Sequence, residues 1–501
     1  MPLLRPQLAI IASTAFVGLF AVTWFLFGGF FSSSAVSPIS FESHGSQEVV
    51  GVEPSCPKHS FPLNRPSDVV FATGADEQSD VAETDRDERF LIHNNAQMRA
   101  LFRCMEDGTC AENQEKVIIV QSYFLAGTHA GWTGGESIWG RSVLESFANL
   151  RYTYLFSPTI QQTIHLYRLL PHNTISIWAE PSMVEFCLAP PTNHVPNPEP
   201  WTPFPTKCLK TPQNPTGIPL WKILAFYFWP GSPHPLGANW TLSPEPYELQ
   251  KPGTGSVYLG YSVQDTCALV PFIPHAERET SGKKTAYVMA KQLAYFAPDM
   301  GAAWPTDFYD AAAQETGVLF VVGADPDDRF DESVLPQGML NHGRLEQKEF
   351  LGRLGKASVL IGIGNPANSP SPYDALCLGV PFINPITKWD ESDPWNKQHW
   401  ESQHPLVALL GEPYVYNVHL GNKEGFVRAI REALQRPIES YVLDRMRKEH
   451  VQARVHAVLE TDWRTMAAEL LERRVDGDET APVSPILECA KFYPMIILSR
   501  F

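Results

Sequence analysis

The sequence predicts an α/β protein built from two Rossmann-like halves, and three observations carry that expectation. The chain has 501 residues, too many for one ordinary core, and 44% of them are hydrophobic. Short apolar runs rich in Val, Ile, Phe and Tyr alternate with amphipathic helical stretches, the rhythm of parallel sheets crossed by helices. The rhythm occurs twice, separated by a proline-rich stretch.

Before the first half, Leu8 to Phe31 carries no charged residue and is long enough to span a bilayer. It exceeds the apolar core of a cleaved signal peptide, and Trp24 and the surrounding Phe residues suit a membrane interface. The expected organisation begins with a cytosolic tail (1–7), a single-pass signal anchor (8–31) and a stem (32–85) rich in Ser, Pro, Asp and Glu. The remainder would then be luminal. Eight cysteines fit that oxidising address. Cys104 and Cys110 are placed to close a small loop, Cys187 and Cys208 bracket the proline-rich stretch, and Cys377 reads as a small core residue. The sequon at Asn239 marks a glycosylation site.

The first half is expected over 86–250. A helix around Glu88 to Phe102 leads to the strand "KVIIVQSYF", then "HAGWTGGE", an amphipathic run from Glu136 to Leu150, and the strands "YTYLFS" and "TISIWAE". Residues 188–220 hold ten prolines, too many for regular structure, and read as an insertion. The second half is expected over 251–440. Its strands are "SVYLGYSV", "TAYVMA", "TGVLFVVGAD", "ASVLIGIG", "VPFINP" and "YVYNVHL". Residues 441–501 form a charged helical region and tail. Ligands belong at the carboxyl ends of such strands, in the cleft.

The formal net charge of −16 argues against a nucleic-acid partner, which would demand a basic face. An anionic ligand would need a local basic patch. "GIGNPANSPSPYDALCLGVPFINP", Gly362–Pro385, reads as the place that receives a phosphate-bearing ligand, through small residues and a helix N-terminus. Small residues, Gly364 among them, admit a ligand close to the backbone, and Ser371 or Ser369 can cap the helix that follows. Asp374, one turn in, can accept hydrogen bonds from ribose hydroxyls or interact with the helix dipole. The run lacks the third glycine of a dinucleotide fingerprint and comes late in its sheet, so a nicotinamide cofactor is not expected. "DPDD", Asp325–Asp328, superficially matches a metal-binding diphosphate motif but follows a strand and reads as a solvated turn.

From about Leu340 to Met446 the chain resembles glycosyltransferase family 18, whose members are α-1,6-mannosylglycoprotein 6-β-N-acetylglucosaminyltransferases. The matching stretches are "NHG" at Asn341–Gly343, "GNPANSPSPYDA", "FINP", "SQHP" at Ser402–Pro405 and "GEPYVYNVHLGNKEGFVRAI". The resemblance implies a GT-B fold, a type II Golgi membrane protein, and inverting transfer from UDP-N-acetylglucosamine to a glycoprotein glycan without a metal cofactor. It also implies a donor site. Asp374 falls on the second acid of a donor-binding pair and Asn368 on the first, so one charged contact becomes a hydrogen bond. Lys291 and Lys397 fall on basic positions, and His342, Gly343, Gln403 and His404 on the matched motifs. The family's catalytic base falls on Glu136, as "GGESIWGRSVLESF" aligns. An inverting transfer needs such a carboxylate to take the acceptor's proton; Glu145 is the second choice. A relative using another UDP-sugar or acceptor, and a catalytically silent sugar-binding scaffold, are the alternatives.

Overall fold

In the computed structural model the described residues are 83–478, apart from 133, 189–207, 251, 254 and 281. The tail, the expected membrane span, the stem up to residue 82, most of the proline-rich insertion, Cys56, Cys489 and residues 479–501 lie outside them. Among the described residues no helix is long and apolar enough to cross a membrane. All of them belong to one unit, Asn64–Phe501.

The first sheet contains β1 (Val117–Val120), β2 (Thr153–Phe156), β3 (Thr174–Ala179), β4 (Ile223–Phe226), β5 (Thr241–Ser243) and β6 (Val257–Tyr258), all parallel, in the order β2-β1-β3-β4-β5-β6. Every residue of β1, β2 and β4 is buried, as a sheet covered on both faces requires. The leading helix runs from Glu83 to Asp107, longer than expected at both ends. Asn94 brackets Phe156 on the edge strand, with its Nδ2 donating to the carbonyl and its Oδ1 accepting from the amide, both at 2.8 Å. Val257–Tyr258, expected to start the second half, instead extends the first sheet by pairing with β5. The half therefore ends beyond residue 250.

The second sheet contains β7 (Glu279–Thr280), β8 (Lys283–Val288), β9 (Leu319–Val322), β10 (Leu340–Asn341), β11 (Val359–Ile361), β12 (Phe382–Lys388), β13 (Glu401–Ser402) and β14 (Val415–His419). Its parallel strands lie in the order β10-β9-β8-β11-β12-β14, with β7 and β13 antiparallel at β8 and β12. Strand order reverses between β8 and β11 here, and between β1 and β3 in the first sheet. Crevices at the carboxyl ends of those strand pairs are where such sheets take ligands.

The two halves share one apolar core that runs from Phe147 and Trp178 to Leu360 and Val380. The C-terminal helices Lys448–Glu460 and Trp463–Val475 return to the first half. Arg454 Nε donates to the Leu259 carbonyl at 2.7 Å, Lys116 pairs with Glu460 at 2.6 Å, and the Trp240 and Trp463 rings lie 5.4 Å apart.

A second joint is polar. Glu245, fully buried after β5, accepts from Tyr261 Oη at 2.8 Å and from Tyr373 Oη at 3.2 Å. Arg445 Nη2 donates to the same Tyr373 oxygen at 3.2 Å. Burial pushes the Glu245 carboxyl up to about 7, with the Tyr261 hydroxyl and the Arg445 guanidinium pulling it back. Beside this network, Cys377 is bonded to Cys267, which corrects its reading as simply a small core residue. The sulfur pair spans 110 residues and ties the second half to the segment leaving the first. Cys104–Cys110 and Cys187–Cys208 are also bonded.

Two outcomes are expected. Closing so long a loop restricts the unfolded chain, so replacing Cys267 and Cys377 together with Ser should lower stability by about 2–4 kcal/mol. Urea unfolding under non-reducing conditions, with Cys104→Ser/Cys110→Ser as the short-loop control, measures it. Glu245 keeps its proton up to about pH 7 when folded but loses it near 4.5 when unfolded. Its contribution is therefore present in full below pH 4.5 and is lost as pH rises through 7. Thermal midpoints of Glu245→Gln should fall less than those of the unsubstituted protein between pH 5 and 7.5.

Candidate active site

The loop after β11 sits at the strand-order reversal of the second sheet. Ile361 ends β11, and its carbonyl accepts from Met289 N at 2.8 Å, joining it to the end of β8. Gly364 has φ +100°, and a side chain there would come within 2.8 Å of the Gly301 carbonyl, so the turn requires glycine. Asn365–Pro366 is cis, and Asn368 adopts a left-handed conformation with φ 54°.

Gln403 holds this loop. Its Oε1 accepts from Gly364 N at 3.0 Å, its Nε2 donates to the Pro366 carbonyl at 3.1 Å, and its own carbonyl accepts from Asn368 N at 3.0 Å. It is 2% exposed, so its amide shapes the loop from behind. His404 is fully buried as well. Its Nδ1 accepts from Val407 N at 3.3 Å and caps the short helix Pro405–Ala408, while burial and the Arg445 guanidinium hold its pKa down at about 3. Both residues support the loop.

Asp374 shows the sharpest difference from expectation. It lies in the helix Ser371–Cys377 but points inward, 4% exposed, with Oδ1 accepting from Thr266 Oγ1 at 3.1 Å. Burial lifts its carboxyl to about 7. Its side chain joins the halves instead of facing the open cleft, because the first turn of this helix packs against the segment Gln264–Cys267. At the other end of the helix, Arg278, 1% exposed, donates to the carbonyls of Leu378 at 2.9 Å and Gly379 at 2.8 Å. Such a cation suits a helix C-terminus.

Asn368, Ser369 and Ser371 add polar side chains to the loop. Ser371 N is 3.3 Å from Ser369 Oγ, and the two hydroxyls are 3.2 Å apart. Asn368 Oδ1 is buried without a hydrogen-bond partner. Lys291 follows β8 with an exposed side chain, and its carbonyl accepts from Asp325 N at 3.1 Å. After β10, Asn341 Oδ1 accepts from both Ala324 N and Gly343 N at 3.1 Å, fixing the position of exposed His342. Lys397, by contrast, donates to the Ala408 carbonyl at 3.0 Å and lies over the Trp400 ring. Within "DPDD", Asp325 accepts from Arg344 N at 3.0 Å and Asp327 from Arg329 N and Phe330 N at 2.8 Å, the hydrogen bonding of a turn.

Across the cleft, Gly134–Glu136 reaches the donor-side loop. A methyl group added at Gly135 would lie 3.4 Å from Pro370 Cδ. Glu136 is the N-cap residue of the helix Ser137–Asn149, partly exposed, and its side chain makes no capping hydrogen bond. Glu145 lies farther along that helix beside Asp265, Lys448 and Arg141, and burial raises it to about 7.

The strand-order reversal of the first sheet holds a carboxylate that sequence reasoning missed. Glu180 follows β3, is 7% exposed, and accepts from Ser122 Oγ at 2.6 Å and Tyr123 N at 3.1 Å. Burial lifts it to about 7 against those bonds. Burial raises the hydroxyl of the neighbouring Tyr123 to about 12, and the charges of Glu180 and Glu136 add to that shift. Exposed Trp132, lying against Gly134, and exposed Trp229 give the first half further aromatic surface. The only sequence signal for Glu180 was its place directly after a buried strand. Asn239, the sequon residue, is exposed in the turn Ala238–Trp240.

Comparison with known proteins finds sequence similarity over part of this geometry. Residues 277–469 match the model of glycosyltransferase family 18. The human alpha-1,6-mannosylglycoprotein 6-beta-N-acetylglucosaminyltransferase B is 29% identical over 136 residues, 25% of this chain and 17% of the relative. A Caenorhabditis elegans alpha-1,6-mannosylglycoprotein 6-beta-N-acetylglucosaminyltransferase is 30% identical over 102 residues, 19% and 15% of the two chains. The chain thus spans less than a fifth of the length of these relatives. Among solved structures, sucrose-phosphate synthase from Thermosynechococcus elongatus aligns over 72% of this chain and 99% of its own at 12% identity, with a TM-score of 0.38. An O-GlcNAc transferase from Thermobaculum terrenum aligns over 72% and 66% at 9% identity, with a TM-score of 0.36. Those likenesses are loose, and the architecture above is read from strand order alone. Residues 277–469, which carry the loop at the second strand-order reversal, are thus similar in sequence to glycosyltransferase family 18.

Proposed function

We propose that the protein is an inverting GT-B glycosyltransferase that moves N-acetylglucosamine from UDP-N-acetylglucosamine to a mannose of a glycoprotein N-glycan. One observation carries the reading: the family-matched loop sits at the strand-order reversal of one sheet, and its Pro370 meets Gly135, the residue before Glu136, from the other half. The named relatives supply the donor sugar, the acceptor and the β-1,6 linkage.

In this reading the diphosphate lies against the Gly364–Ser371 loop, with Lys291 as its cation. Asn368 Oδ1 offers an acceptor to a donor hydroxyl, and His342 and Gly343 border the nucleotide. Asp374, Gln403 and His404 are positioning residues that fix the loop. Glu136 takes the proton from the attacking acceptor hydroxyl as the sugar–phosphate bond breaks and UDP departs. The new glycosidic bond forms on the opposite face, which inverts the anomeric carbon. Tyr123, Trp132 and Trp229 offer ring faces to the acceptor's sugars. No metal is assigned a step, because Asp325 and Asp327 are committed to backbone amides. The run Leu8–Phe31 would anchor the enzyme in the Golgi membrane with the catalytic region luminal.

Glu180 supports a second reading of the base, since a carboxyl near 7 at the reversal of the first sheet is suited to proton transfer. Its two hydrogen bonds to Ser122 and Tyr123 favour a structural role.

Single-turnover transfer should separate these roles. Glu136→Gln should slow transfer by roughly 10²–10⁴-fold while leaving UDP affinity unchanged. Glu180→Gln should cost much less, and the reverse ranking would move the base to Glu180. Loss of the Lys291 ammonium should act on the donor instead. Lys291→Met should weaken UDP binding by about 1.5–3 kcal/mol, the contribution of a hydrogen bond to a charged group, as calorimetry measures it. Transfer should persist in EDTA, and activity that returned only with manganese would overturn the metal-free mechanism.

A further inference from the structure

Away from the cleft loop, a cavity of about 530 Å³ opens beside the carboxyl end of β14, lined by Trp395, Asn417, His419, Asn422, Arg428 and Arg431. None of its lining residues has a role in the transfer proposed above. Trp395 is 65% exposed, and no other large hydrophobic side chain among the described residues is more so. An indole held at a cavity mouth offers a ligand an apolar face to cover.

The indole is held. Its ring stands edge-on to His419 at 4.9 Å between centroids, and His419 in turn meets Trp389 at 4.6 Å and Trp400 at 5.7 Å. His419 is 7% exposed, and its Nε2 lies 2.8 Å from the Pro394 carbonyl. Trp400 Nε1 donates to the same carbonyl at 2.8 Å. The residue just before Trp395 is thus pinned twice, and a rigid aromatic face loses little entropy when a ligand stacks on it.

The charges of the wall decide the ligand's class. Arg431 is paired with Glu315, itself part of the lining. Arg428 is paired with Glu432 at 3.0 Å and with Glu412 at 3.3 Å. Glu424 adds another acid. No lining cation is left uncompensated to attract phosphate or a carboxylated sugar. The wall is too polar for a purely apolar guest, yet it offers amide and guanidinium donors and carboxylate acceptors facing one aromatic ring. A molecule with hydroxyls around its edge and C–H bonds on one face satisfies both surfaces.

We propose that this cavity is a carbohydrate-binding site, separate from the donor loop, that holds a neutral pyranose against Trp395. Its hydroxyls meet Asn422 and the paired arginines while its apolar face covers the indole. The site does not depend on the transferase reading, and it would operate equally in a silent scaffold.

The test uses the full-length protein with UDP present, titrated with methyl α-mannopyranoside, N,N′-diacetylchitobiose and the anionic 3′-sialyllactose. Saturation-transfer NMR and tryptophan fluorescence report binding. A neutral saccharide should bind, Trp395→Ala should weaken it by about tenfold or more, and Trp395→Phe should retain most of the affinity. UDP affinity, unchanged in both variants, serves as the folding control. Neutral saccharides that fail to bind, that bind Trp395→Ala equally well, or that are displaced by the sialylated probe as the preferred ligand would overturn the proposal. The source of the sugar follows from transfer kinetics. A raised acceptor KM in Trp395→Ala assigns the cavity to a remote arm of the acceptor glycan, and an unchanged KM assigns it to a glycan on another molecule.

Discussion

A helix of seven residues is too short to persist alone, so Ser371–Cys377 exists only through what grips it. Four groups do so. Tyr373 reaches Glu245, Asp374 accepts from Thr266, Cys377 is bonded to Cys267, and Arg278 binds the carbonyls just past its end. Three of those partners belong to the chain between the last strands of the first sheet and the start of the second. The helix that follows the candidate donor loop is therefore fastened to the opposite half of the molecule. That attachment sets Pro370 against Gly135 and brings Glu136 to the mouth of the cleft.

The chemistry of the junction differs from that of the cleft. Glu245, Asp374 and Glu180 are buried carboxyls raised toward 7, and each makes hydrogen bonds within the protein. Keeping a proton lets a buried acid avoid the cost of an unpaired charge. Glu136, by contrast, is partly exposed and makes no capping hydrogen bond. In a chain of net charge −16, an exposed lysine after β8 would, in the proposed reading, offset a field that repels a diphosphate.

Much of the architecture was legible because parallel sheets write themselves as apolar runs. "KVIIV", "TISIWA" and "ASVLI" all became buried strands, and the glycine–proline loop after β11 fell at the strand-order reversal. Strand pairing was less legible. Val257–Tyr258 reads alike as the first strand of a new sheet or the last of an old one, and only hydrogen bonding to β5 assigns it. Periodicity also could not say that Cys377, a small residue on a buried helix, had a partner 110 positions earlier.

The sequence by itself determined the alternation of strands and helices, the position of the Gly362–Pro385 loop, the acid Glu136 after its glycines, and the similarity to family 18. Each is a local property, fixed by residue type and spacing. Tertiary structure decided which of the matched polar residues face the cleft. Asp374, Gln403 and His404 turn inward while Lys291, His342 and Glu136 stay accessible, because side-chain direction depends on what the other half packs against each element. It also decided that Glu180 and Ser122 share a crevice and that Trp395 stands over a cavity. Those juxtapositions join residues far apart in the chain, and only the closed fold brings them within contact distance.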